Sequence, residues 1–248
     1  MDYQVYAYLQ LGQDAKAKAL IDEMAAVTGL TETYMPGPYA MAISPARFVV
    51  ERGDWKAAAA LQVRSSPLPQ VQAISYTARA LGAARSGNPE AARADIAKLA
   101  EFRDKLRDAK DAYWSEQVDI QRQVATAWAL YAEGKQDDAL AAMSAAADAE
   151  DKTEKHPVTP GVPKPARELY GSMLLERGMA KDALAAFEAT LKKEPNRLGA
   201  YVGAAMAAEK SGDLTKAREY YGKVVAIADN ADKARTEVAD AQAFLQKR

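Results

Sequence analysis

One phrase recurs along the chain: a glycine, four variable residues, then an alanine. It reads GQDAKA at 12–17, GDWKAA at 53–58, GNPEAA at 87–92, GKQDDA at 134–139, GMAKDA at 178–183 and GDLTKA at 212–217. Each glycine closes one amphipathic stretch, and each alanine falls early in the next. Glycine tolerates the left-handed backbone that ends a helix. Polar residues after it, such as Asp54, Asn88 and Asp213, suit the start of the following helix. The repeated unit is therefore predicted to be a helical hairpin. Ala17, Ala58, Ala92, Ala139, Ala183 and Ala217 let its second helix approach the first. Seven residues before the glycine stand further small residues, Ala46, Ala80, Ala127, Gly171 and Ala205, expected to face those alanines.

Composition agrees with helices. Hydrophobic residues make up 49% of the 248, and alanine, the strongest helix former, dominates them. Runs of β-branched residues are nearly absent, so the fold class is all-α. Lys/Arg and Asp/Glu interleave to a net charge of −1. Without a basic patch, the electrostatic footprint of a nucleic-acid binder is missing. No apolar run approaches membrane-spanning length. With no cysteine, disulfides, thiolate nucleophiles and Cys-ligated metals are excluded. The first residues carry no signal-peptide pattern. A soluble protein is expected, either cytoplasmic or exported with a signal segment missing from this chain.

The glycines are spaced by 41, 34, 47, 44 and 34 residues. With this interval, and with Tyr170, Gly171, Gly178, Ala183, Phe187 and Pro195 in one unit and Tyr201, Ala205, Gly212, Ala217 and Tyr221 in the next, the chain resembles the tetratricopeptide repeat family. It also resembles the C-terminal part of longer, largely uncharacterised bacterial proteins of that family, a likeness that implies no activity. The resemblance implies one right-handed α-solenoid. Its six hairpins span about 1–30, 39–66, 73–105, 112–149, 164–197 and 198–231. An insertion at 150–163 and a capping helix at 232–248 complete it. Val238, Ala241 and Leu245 give the last helix a single apolar stripe, as a terminal repeat requires.

The family's geometry puts the first helix of each hairpin on a concave groove. Carried over position by position, that face holds Tyr6, Leu9 and Gln10; Arg47 and Glu51; Leu81 and Arg85; Gln121, Trp128 and Tyr131; Glu168, Ser172 and Glu176; and Met206, Glu209 and Lys210. Trp128, Tyr131 and Arg85 are the leading anchors for a protein or peptide partner; for Trp128, packing against the neighbouring unit is an equal expectation. The co-chaperone subtype grips a C-terminal carboxylate with lysine and asparagine. Here the matching positions hold Arg47, Leu81, Trp128, Ser172 and Met206, which argues against such a clamp.

The sole histidine, His156, lies in the insertion EDKTEKHPVTPG with Glu150, Asp151 and Glu154 nearby. Its spacing is not that of a helical metal motif, and the prolines at 157, 160, 163 and 165 suit an extended connector. A loop contact on the groove is the role expected of His156. No nucleophile elbow or phosphate loop occurs, so no catalytic residue, cofactor or metal is expected. A small-ligand receptor with a pocket closed by residues 150–165 is the alternative, as is a self-association module. Tyr3, Tyr6 and Leu9 are expected at an open edge, which suggests pairing of two copies through the first hairpin.

Overall fold

The computed structural model describes residues 1–156 and 161–247, and the prolines at 157 and 160 lie outside them. Among the described residues there are thirteen helices and no strand: α1 (Asp2–Gln10), α2 (Asp14–Ala25), α3 (Pro36–Glu51), α4 (Trp55–Ala59), α5 (Pro69–Arg85), α6 (Pro89–Asp108), α7 (Ala112–Ala132), α8 (Gln136–Asp151), α9 (Ala166–Glu176), α10 (Ala180–Lys193), α11 (Leu198–Ser211), α12 (Leu214–Ile227) and α13 (Thr236–Gln246). The chain is all-α, as its composition requires.

The six repeat glycines do the same thing. Gly12, Gly53, Gly87, Gly134, Gly178 and Gly212 all have φ between 65° and 84°. At Gly53, the glycine N–H donates to the Val50 carbonyl and the Asp54 N–H to the Val49 carbonyl. The same pair of bonds recurs at the other five. This is the Schellman motif, which satisfies carbonyls left open at a helix end. The next helix is then capped: the side chains of Asp54, Asn88 and Asp213 accept from the N–H groups of Ala57, Ala91 and Lys216. The α6–α7 link repeats the turn without glycine. Lys110 stands at φ 60° and Asp111 caps α7 through the Trp114 N–H.

The small residues are where the helices meet. Ala17, Ala58, Ala92, Ala139, Ala183 and Ala217 have no exposed surface, and neither do Ala46, Ala80, Ala127 and Ala205. At two places even alanine would not fit. A β-carbon on Gly82 of α5 would stand 2.3 Å from the backbone nitrogen of Ala59, and one on Gly203 of α11 would stand 2.3 Å from Cζ of Phe187.

The residues group into two compact units. In the first, residues 1–3 and 20–166, the helices α3, α5 and α7 pack side by side as one layer. Behind them α4 packs on α3 and α5, α6 packs on α5 and α7, and α8 packs on α7. Leu99, Phe102 and Leu106 of α6 and Ile74, Ala78 and Leu81 of α5 are buried there. The second unit holds residues 4–19 and 167–248. Within it α10 packs on α11, α11 on α12 and α12 on α13. Val238 and Ala241 of α13 are buried, on the stripe expected of the capping helix.

Of the residues expected at an open edge, Tyr3 is 55% exposed and Tyr6 partly exposed, but the hairpin is partnered within the second unit. Val5 and Leu9 are buried, and the Gln10 side chain accepts the Leu198 N–H at 2.9 Å. The Asp232 N–H donates to the Gly12 carbonyl at 2.9 Å, and the Asp232 carboxylate accepts from the Ala15 N–H at 2.7 Å. Arg235 closes this corner with two bonds to Asp14, at 3.0 and 2.6 Å.

Candidate partner-binding faces

In the first unit, the layer formed by α3, α5 and α7 carries the residues expected in the groove, and several are fully covered. Arg47 on α3 is entirely buried. Its Nη1 donates to the Asp2 carboxylate at 2.6 Å and its Nη2 to the Gly161 carbonyl at 2.8 Å; Ser44 adds a bond to Asp2. A charge so enclosed requires both its counter-ion and its carbonyl partner. Leu81 is buried on α5. Gln121 on α7 is buried and accepts the Thr77 hydroxyl at 2.8 Å.

Trp128 is 2% exposed. The Arg85 guanidinium lies 4.2 Å from its ring centroid and 5.1 Å from that of Trp55, so this cation is held between two indoles. Tyr131 meets Trp128 edge-on at 5.4 Å. Two of the three anchors expected in the groove, Trp128 and Arg85, thus spend their ring face and charge on each other. Glu51, Arg85 and Tyr131 remain partly exposed.

The described residues of the insertion lie against the same layer. Its two ends are tied by Glu150, which accepts the Ala166 N–H at 2.7 Å, and Pro163 and Pro165 are buried. His156 stacks on Trp114 at 5.2 Å and lies 5.6 Å from Tyr113. Trp114 in turn meets Tyr39 of α3 at 5.7 Å, and the Tyr113 hydroxyl donates to the Glu154 carbonyl at 3.2 Å. Burial raises the Tyr113 phenol above its ordinary range. Tyr39, Tyr113 and Trp114 were not among the expected groove residues. They precede the matched part of their hairpins, and only the adjacency of two aromatics at 113–114 marks them in the sequence.

In the second unit, Glu168 and Arg197 form a buried pair, 2.6 Å from Oε2 to Nε, and Tyr6 lies against the Arg197 guanidinium at 6.0 Å. Ser172 is partly exposed, while Glu176, Met206, Glu209 and Lys210 are exposed. Met206 and Glu209 line a cleft of about 310 Å³ between α11 and α13, together with Tyr221 of α12. The Tyr221 hydroxyl donates to Glu209 at 2.8 Å. Burial and that bond push its phenol well above the tyrosine range.

Among the described residues, no three His, Cys, Asp or Glu side chains gather where a metal ion could sit, and no helix is long and apolar enough to cross a membrane. Fold and faces define an all-α chain of repeated helical hairpins. A scan against protein-family models and a search of curated proteins return no match.

Proposed function

We propose that the chain is a solenoid of tetratricopeptide-like hairpins and serves as a non-catalytic scaffold for a protein or peptide partner. The face it offers is that of the first helices. The observation that supports this is the fate of one repeat position, two residues before the turn glycine. From the second hairpin onward it holds Glu51, Arg85, Ala132, Glu176 and Lys210, and in every case the side chain stays at least partly open to solvent. The small positions of the same helices are buried and nearly invariant in type. A repeat that fixes its packing residues while varying an exposed one is built to present a surface. Affinity on such a face comes from a few anchors on a rigid frame. The small-ligand alternative requires a pocket joining the insertion to Trp128, and the ring of Trp128 is instead covered by Arg85 and Tyr131.

Panning a displayed peptide library against the intact protein tests this reading. Amide hydrogen exchange with an enriched peptide should show protection along α5 and α7 of the first unit or along α11 of the second. Tyr131→Ala or Lys210→Ala should weaken binding while the helical signal stays intact. No enrichment, or protection confined to α6, α8 and α12, would overturn it.

A further inference from the structure

We infer that the cleft between α11 and α13 receives a lysine or arginine side chain of a partner polypeptide; this rests on the scaffold reading and names what its second unit recognises. Three features of the cleft carry it.

Part of the lining is apolar. Val202 and Met206 come from α11, Ala243 and Phe244 from α13, and Met206 is 39% exposed although it is a large hydrophobe. These apolar groups suit the methylene stem of a long side chain whose charged end meets the carboxylates beside them.

Three carboxylates line the cleft. Glu209, Glu237 and Asp240 stand in the lining with the ammonium of Lys247, and Arg218 and Arg235 approach Phe244 and Glu237. Glu209 is oriented by the Tyr221 hydroxyl, and Glu237 accepts from Arg235 at 3.0 Å. Asp240 is exposed on α13 and has no ion-pair partner among the described residues.

The aromatic ring of Phe244 already supports a guanidinium. Arg218 lies 5.9 Å from its centroid, and Tyr221 packs against the ring at 4.6 Å. Stem, carboxylates and ring together match a cation on a flexible aliphatic arm and disfavour an acidic one. A cleft of about 310 Å³ has room for such a side chain.

Methyl NMR on protein labelled at its methionines tests the assignment, with the Met206 signal identified by its loss in Met206→Leu. The probes are two synthetic amphipathic peptides of equal length and spacing, one leucine–lysine and one leucine–glutamate. The leucine–lysine peptide should shift Met206 saturably, and the leucine–glutamate peptide should not. Glu209→Gln with Asp240→Asn should weaken that binding roughly fivefold to tenfold, as should added salt. Glutamine keeps an acceptor for Tyr221, and unchanged thermal melting establishes that the variant is folded. An unmoved Met206, an equal response to both peptides, or an unweakened double variant would overturn the inference. Should library peptides protect α5 and α7 while Met206 stays unmoved, the cleft assignment falls and the scaffold reading stands. Should no peptide bind anywhere, both fall.

Discussion

The ring of Phe187 lies so close to Gly203 that a β-carbon on Gly203 would stand 2.3 Å from Cζ and 2.4 Å from Cε1. On its other side the ring meets Gly171, where a β-carbon would stand 3.0 Å from Cε1 and Cζ. Phe187 therefore fixes the spacing of α9, α10 and α11 with no room for one added methyl group.

Gly203→Ala should destabilise the protein by about 1–3 kcal/mol through overpacking, and Gly171→Ala by less. Gly222→Ala is the control. It sits in α12 with nothing within 4 Å, and should gain about 0.5–1 kcal/mol from helix propensity. Combining Gly203→Ala with Phe187→Leu should restore part of the loss. Urea denaturation of the four variants measures all of this.

Gly82→Ala should be worse tolerated than Gly171→Ala. The obstacles at Gly82 are backbone atoms of α4, the nitrogen of Ala59 and the oxygen of Trp55, and backbone cannot move aside as a ring can. Early loss of protection in α4 and α5 by hydrogen exchange is the expected signature.

Lys110→Gly should stabilise the α6–α7 turn by about 0.5–1 kcal/mol, because a lysine at φ 60° bears the steric cost of the left-handed backbone. Gly134→Ala, at φ 81°, should lose about 1 kcal/mol for the same reason. Thermal melts of the two variants should move in opposite directions.

Arg197→Met alone should cost about 3–5 kcal/mol by removing the counter-charge of buried Glu168, and Glu168→Leu less, because Glu194 stands 3.9 Å from the Arg197 guanidinium. Both substitutions together should cost less than the sum of the two. A double-mutant cycle at constant pH reads the difference.

Acid should loosen the α6–α7 contact. Hydrogen bonds from Arg93 and then Lys135 hold the Glu133 carboxyl down at about 2, from an ordinary 4.5. The unfolded chain therefore binds this proton first, and the contribution, complete above pH 4.5, disappears as pH falls from there towards 2. The pair is near the surface, so the effect is small and salt-sensitive. Glu133→Gln should flatten the acid limb of the stability curve in that interval.

Local chemistry was legible in the sequence; long-range pairing was not. The G-x4-A phrase located the six left-handed turns and the alanines that proved fully buried, because both are demands a hairpin makes on residues close in sequence. The layer of α3, α5 and α7 could be anticipated only through the repeat register, and that register does not say which of its polar residues find each other. Arg47 and Asp2, Glu168 and Arg197, and Arg235 and Asp14 are ordinary surface-type residues until the fold brings them together. Trp128 shows the limit well. Its register position left a groove anchor and packing against the neighbouring unit equally expected, and the side chain of Arg85, itself held against Trp55, covers it.

The bonds of Gln10, Gly12 and Asp14 to Leu198, Asp232 and Arg235 bear on biosynthesis. A ribosome delivers the first hairpin some two hundred residues before its hydrogen-bonding partners, whereas α3, α5 and α7 find their neighbours within a few dozen. Vectorial synthesis therefore lets the helices from α3 onward consolidate while α1 waits with the apolar side chains of Val5 and Leu9 uncovered, a natural client for a chaperone.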